Sequence, residues 1–275
     1  MPAGLDRDSV HRGPIQGAVA RGEDPEQWIA VVERLENGGA PELARVRDRG
    51  AAAVFRMDDG PDGPVYIKRH GGRRLQHELR ESRFTTPPGA RCWEAAATLA
   101  RCGVATPRVR ASLQVVEGTY LVADYLMTDG VTDGPSFGAL LADESLVPAQ
   151  RRTLLGELAR LVAHLHVRGV FHNDLKPAHV FRLGDDALSL IDLEYLTLVD
   201  RRHPRRYEIT RWGDLTTLLR EFEPVTTAAE RRTLGEVYKR ASGLPASEPL
   251  TMRYHWVHSS RDAVSPRTRR RRRGS

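Results

Sequence analysis

The sequence predicts an α+β fold of two lobes, a small β-rich amino-terminal lobe and a mainly helical carboxy-terminal one. Three observations lead there. Short β-patterned runs at 53–57, 65–68, 115–116 and 120–123 crowd the first half, separated by turns rich in Gly, Pro and Asp. A long amphipathic pattern opened by Pro148 and closed by Gly169 begins the helical half, with Leu154, Leu155, Leu158, Leu161, Val162 and Leu165 on one face. Directly after it comes a stretch dense in chemistry-bearing side chains, Phe171-His172-Asn173-Asp174-Leu175-Lys176-Pro177-Ala178-His179. A polar turn at 184–186 and the apolar run Leu188 to Ile191 come next, closed by Asp192.

Length and composition suit two lobes around a shared cleft: 275 residues, 40% of them apolar. No run approaches the roughly 18 apolar residues of a membrane span, and the amino terminus lacks a basic start followed by an apolar block. The expected location is therefore the cytoplasm. Cys92 and Cys102 are the only cysteines, too few for a Cys/His zinc cluster, and read as packing residues. The net charge of +6 is local, because six arginines fall within 267–273. A globally basic nucleic-acid binder is disfavoured, and no specific nucleic acid is expected.

Along the chain, 1–22 carry Gly, Pro and charge without periodicity and are expected to be disordered. A single two-lobed domain is then expected over 23–257, with its first lobe at about 23–123 and its second at about 127–257. Asp24 and Pro25 mark a helix start, with Gln27 as the box partner of the cap, and Gly38-Gly39 marks its end. The runs 53–57 and 65–68 flank an Asp/Gly/Pro turn and read as a hairpin whose second strand ends in Lys68. Arg49-Gly50-Ala51-Ala52-Ala53 is the place for a phosphate-approaching loop, with Gly50 its one glycine. A helix is expected over 91–102 with Glu94 in its first turn, where a carboxylate also suits the helix dipole. A second hairpin closes near Ala123, Asp124, Tyr125 and Leu126, an apolar strand leading into a connector. A last helix spans about 227–241, capped by Thr226 or Thr227 and ended by Gly243. The arginine-rich segment 258–275 reads as a disordered basic tail.

The loop and the hairpin after it carry the chemistry. Asp174, His179 five residues on, and Asp192 after the hairpin returns are the groups phosphoryl transfer needs: a carboxylate for the attacking hydroxyl and ligands for a metal on the nucleotide phosphates. Alone, the short motif also fits His172 and Asp174 capping a turn. These residues, with Ile191-Asp192-Leu193, Lys68-Arg69-His70-Gly71, Trp93-Glu94 followed by Gly103-Val104-Ala105-Thr106, and Arg211-Trp212 ahead of Asp214-Leu215, resemble the lipopolysaccharide kinase (Kdo/WaaP) family. The resemblance covers roughly 50–223. It departs from the protein-kinase pattern in placing His179 where Asn stands and in reading Asp192-Leu193-Glu194 where D-F-G stands.

The resemblance implies a two-lobed protein-kinase-like fold. It further implies an ATP-dependent kinase moving the γ-phosphoryl group to a sugar hydroxyl of lipopolysaccharide core or a similar glycolipid. Asp174 would serve the hydroxyl and Lys176 the moving phosphate. Asp192 and His179 would hold Mg²⁺, or Mn²⁺ because a histidine ligand is less usual for magnesium. Lys68, fixed by Glu94, would hold the α and β phosphates; Glu78 and Glu81 are the alternatives to Glu94. Gly50 would meet phosphate, and backbone at Ala123 and Tyr125 would meet adenine. Asp214 would brace the catalytic loop.

Asp174-Leu175-Lys176-Pro177 leaves a Ser/Thr protein kinase open, against which stand the missing A-P-E and the short segment before Asp214. The poor glycine loop leaves a catalytically inactive kinase-like binding protein open. The basic tail implies peripheral contact with an anionic membrane at the inner face, each basic residue contributing about 1 kcal/mol near the surface, or equally with nucleic acid. Oligomeric state is not readable.

Overall fold

A computed structural model describes residues 6–49, 52–71, 86–131, 134–183 and 187–245. They divide into two compact units. One combines the described residues of Met1–Gly134 with Arg182–Glu194, the other those of Pro135–Phe181 with Tyr195–Ser275.

The first unit is built on a seven-stranded sheet: β1 (Arg7–Arg12), β2 (Ile15–Ala20), β3 (Ala44–Arg49), β4 (Ala52–Met57), β5 (Val65–Gly71), β6 (Val109–Glu117) and β7 (Tyr120–Asp129). Their order is β1-β2-β6-β7-β5-β4-β3, and every neighbouring pair is antiparallel. Strand alternation sorts the side chains. Val65 and Ile67 of β5, Leu113 of β6 and Tyr125 and Met127 of β7 face a helix α1 (Pro25–Glu36) and pack with its Trp28, Ile29, Val31 and Val32. Each such fully buried side chain contributes about 1.5–3 kcal/mol. Asp24 caps α1 by accepting from the Glu26 N–H at 3.0 Å, and Pro25 occupies its first turn. The opposite parity, Lys68 and His70 on β5 and Asp124 on β7, lies toward helix α2 (Pro88–Arg101), whose Gly89 N–H donates to Asp124.

Three expectations are corrected here. Residues 7–20, expected to be loose, form the β1–β2 hairpin and extend the sheet beyond β6. Its driving contact is backbone pairing, with Gly17 pressed so near the Ser112 carbonyl that a Cβ would lie 2.1 Å from it. The sequence of β1, RDSVHR, carries no apolar alternation that could have announced it. The first lobe does not end near 123, because β7 continues to Asp129. Ala123 and Tyr125 are therefore mid-strand, paired with Gly71 and Arg69 of β5 on one side and Val115 and Leu113 of β6 on the other. Both are fully buried. Their backbone groups belong to the ladders, which removes them as adenine contacts.

The second unit is helical: α3 (Phe137–Ala142), α4 (Pro148–Val167), α5 (Pro204–Phe222) and α6 (Ala228–Ser242). Helix α4 packs along α6. Thr227 and Glu230 form a reciprocal capping box at the start of α6, and Gly243, with φ of 73°, ends it. Beyond α4, Gly169 turns the chain with φ of 74° beneath the Val199 carbonyl, where a Cβ would lie 2.3 Å away. That turn delivers β8 (Val170–Phe171), which pairs with β11 (Thr197–Leu198). The hairpin of β9 (Val180–Leu183) and β10 (Ala187–Leu190) carries the chain back into the first unit, the division falling within β9. The segment 258–275, expected to be a disordered tail, lies outside the described residues.

Candidate active site

In the second unit the loop after β8 is held from beneath by a buried carboxylate. Asp214 of α5 accepts from the His172 and Asn173 backbone N–H groups, both at 2.8 Å. Its Oδ2 also lies 3.1 Å from His166 Nε2, whose other ring nitrogen is 2.8 Å from the Tyr238 hydroxyl. Burial alone would push the Asp214 carboxyl up. The hydrogen bond and charge of His166, with the His172 backbone donor, outweigh it and hold the group ionised below its ordinary range.

Asn173 has a left-handed backbone, φ 63°, rare for a residue with a side chain. Its amide nitrogen reaches the carbonyls of Phe171 at 3.1 Å and Tyr195 at 2.8 Å and the Thr197 hydroxyl at 2.8 Å. The strained residue is thus fixed from both ends, as strain at working sites requires.

Asp174 comes next, partly exposed, with its two carboxylate oxygens 2.8 and 2.9 Å from Lys176 Nζ. His179 sits in the 3₁₀ turn Pro177–His179, its Nδ1 2.9 Å from the Asp174 carbonyl. A carbonyl oxygen can only accept, so Nδ1 carries the proton of this contact.

In the first unit the centre is Lys68. Its ammonium lies 2.7 Å from Asp192 Oδ1 and is also paired with Glu194. Glu194 lies 3.1 Å from His70 Nε2 as well. Burial would depress the Lys68 ammonium, but the charges of Glu194 and Asp192 more than offset it and raise its pKa. Burial would likewise raise Glu194, yet the hydrogen bond from His70 and the Lys68 charge hold its carboxyl below its ordinary range. Asp192, like Asn173, is left-handed, φ 61°. The apolar strand before it is tied down by the Leu190 N–H to the Ala105 carbonyl at 3.1 Å and the Thr106 hydroxyl to the Leu190 carbonyl at 2.8 Å.

Glu94 is not the partner of Lys68. It is exposed and forms an ion pair with Arg7 at 2.8 Å. The helical phase explains this: α2 turns Cys92, Trp93 and Ala95 inward and leaves Glu94 outside. Gly50, Glu78 and Glu81 lie outside the described residues. Sequence reasoning passes over Glu194 because D-L-E reads as a defective D-F-G. The signal that could have found it is strand parity, which sets His70 beside Lys68 as a second polar group seeking a partner.

A lysine in mid-sheet bound to the aspartate that ends an apolar strand, and a separate braced H-x-D loop, define a kinase-like protein. Residues 42–252 match the lipopolysaccharide kinase (Kdo/WaaP) family, and the chain belongs to this family of kinases. Among solved structures it is similar to WaaP in complex with acyl carrier protein, with 21% identity and a TM-score of 0.54 over 84% of this chain and 95% of that one. That likeness establishes the fold, protein-kinase-like. Among curated proteins, CBL-interacting protein kinase 22 of Oryza sativa subsp. japonica is 34% identical over 177 residues, 55% of this chain. The match spans only 36% of that longer relative.

Proposed function

We propose that this kinase transfers the γ-phosphoryl group of ATP to a sugar hydroxyl of lipopolysaccharide core or a similar glycolipid. The observation that carries the reading is Asp174, presented on a loop whose two preceding N–H groups are bound by buried Asp214, in a chain whose family is that of lipopolysaccharide kinases. The acceptor oxygen forms a bond to the γ-phosphorus as the bond to the β–γ bridging oxygen breaks. ADP departs, and the hydroxyl proton passes to Asp174. Lys176 lies beside that carboxylate and offsets charge on the moving group. Lys68 binds α and β phosphate oxygens.

Asp192 and His179 are the residues that would hold Mg²⁺, which supplies charge neutralisation to the phosphates when bound. The donor set fits in chemistry: one carboxylate, and an imidazole whose Nδ1 is already committed to the Asp174 carbonyl. A nitrogen ligand favours Mn²⁺ as the alternative ion.

Exposed Arg201 and Arg202 ahead of α5, with Arg205 and Arg206 in its first turn, suit an acceptor already bearing phosphate or carboxylate. The complex that WaaP forms makes acyl carrier protein a partner to test here by copurification. No described helix is long and apolar enough to cross a membrane. A cytoplasmic protein touching the anionic inner face through 258–275 is the arrangement we favour.

The test is ATP turnover with Mg²⁺ and then Mn²⁺, with and without extracted glycolipid, beside an Asp174→Ala control. Glycolipid-stimulated turnover lost in the control is the expected result, and turnover indifferent to glycolipid removes the acceptor class. A second reading, phosphorylation of a protein acceptor, has one observation in its favour, the 34% identity to a protein kinase. Peptide-array phosphorylation without glycolipid stimulation would select it.

A further inference from the structure

We propose that Glu194 is the positioning residue of Lys68, doing from the metal-motif segment what a helix carboxylate was expected to do; the inference rests on the kinase reading above.

Four observations converge within the first unit. Strand parity puts Lys68 and His70 on one face of β5, and Glu194 bridges them, paired with the ammonium and 3.1 Å from the imidazole. His70 and Glu194 are each 6% exposed, so the bridge is sheltered from competing water. The left-handed Asp192 is followed by the 3₁₀ turn Leu193–Tyr195. Carboxylates two residues apart here meet on the same ammonium. Finally, the Glu194 backbone is anchored independently, its carbonyl accepting from Arg91 Nε of α2 at 3.1 Å. Glu94 on that same helix is turned outward to Arg7.

The chemistry suits a phosphate clamp. An ammonium has three donors. Among the described residues Asp192 and Glu194 engage two, and the third is shared between the α and β phosphate oxygens. A long lysine stem loses its rotamer freedom before nucleotide arrives, so less is lost on binding. Lys68 and the metal-binding Asp192 are set by one short turn, so displacement of Glu194 would disturb the clamp while sparing groups that meet the nucleoside.

Lys68 availability tests this without nucleotide, by competitive acetylation read residue by residue in mass spectrometry. Glu194→Gln keeps the shape but loses the charge, and Lys68 should label about fivefold faster or more, as expected when a buried ion pair loses one partner. Glu94→Gln should label like wild type. Equal Lys68 rates in Glu194→Gln and wild type, or acceleration by Glu94→Gln instead, overturn the proposal. Should Glu194→Gln fail to fold, Glu194→Asp retains the charge on a shorter stem. It should accelerate labelling by a smaller factor, and an unchanged rate overturns the proposal equally. In the ATP arm, Glu194→Gln should raise KM for ATP about tenfold while adenosine affinity holds. A rise in both alike overturns positioning in favour of a general structural role. A wild-type protein that neither binds nor turns over ATP would sink the phosphotransferase reading, while the labelling rates still decide what holds Lys68.

Discussion

Asp124 on β7 accepts the Gly89 N–H at 2.7 Å and so caps α2 from a neighbouring strand, Pro87 at the cap position having no side chain able to do it. Burial pushes its carboxyl up to about 6, against the opposing pull of the Gly89 donor. A folded value above the unfolded 3.8 means that the protonated form suits the fold. The contribution is complete below about pH 4 and is lost as pH rises through 6. Asp124→Asn should therefore gain on wild type between pH 4 and 7, by up to about 3 kcal/mol, the free energy of moving the group from 3.8 to about 6. Urea denaturation at both pH values checks this, and a constant difference refutes it. At the loop, Asp174→Ala should lower kcat by about 10²–10⁴-fold. Asp214→Asn, which no longer pairs a full charge with His166 and two backbone donors, should cost about 10²-fold through misplacement of Asp174. Wild-type ATP binding alongside slow turnover would separate the second effect from unfolding. The brace by Asp214 was legible through the resemblance carried by Arg211-Trp212 and Asp214-Leu215, and the hydrogen bonds to His172 and Asn173 agree with it; the roles given to Lys68, Asp174 and Asp192 are proposals that rest on the same resemblance. Glu194 was not legible: it acts on another side chain, and its direction depends on a left-handed aspartate that no residue pattern announces.

Among the strands and helices, a single cation binds several elements of the first unit. Arg110 of β6 is 1% exposed and meets Glu23 before α1 at 2.5 Å, Asp129 at the end of β7 at 2.6 Å, and Asp62 in the β4–β5 turn. Arg110→Met takes this partner from Asp129 and leaves Glu23 and Asp62 to Arg108 alone, and a loss of about 3 kcal/mol, the low end for a broken buried pair, is expected in chemical denaturation. A change under about 1 kcal/mol, the range of a solvated pair, would show that solvent replaces the guanidinium. Helix ends were readable where a local rule fixes them: Asp24 with Pro25, Thr226 or Thr227, Gly169 and Gly243; that Thr227 is the cap, with Glu230 as its reciprocal partner, came from the structure. Strand ends were not. β6 and β7 run to Val109 and Asp129 because pairing with neighbours extends them. The β1–β2 hairpin is held by backbone pairing with almost no apolar side chain of its own on β1.

For the molecule as a whole, the order of β-rich then helical parts was legible in composition and periodicity, whereas the seven-stranded width of the sheet was not. Its outer strands, β1 and β3, carry RDSVHR and ARVRDR, charged sequences that discourage pairing with other chains. Removal of 1–22 should uncover the β6 edge, whose SLQVV run lacks such protection, and light scattering should report association that wild type does not show. The two units are also unequal in how the chain writes them. The first is interrupted by Pro135–Phe181 and completed only by Arg182–Glu194. During synthesis at roughly 5–20 residues per second, the sheet can therefore assemble several seconds before Asp192 and Glu194 leave the ribosome. A nascent chain in that interval has its lysine in place and neither carboxylate to hold it, so premature termination between Asp129 and Asp192 yields a sheet with an unanchored clamp.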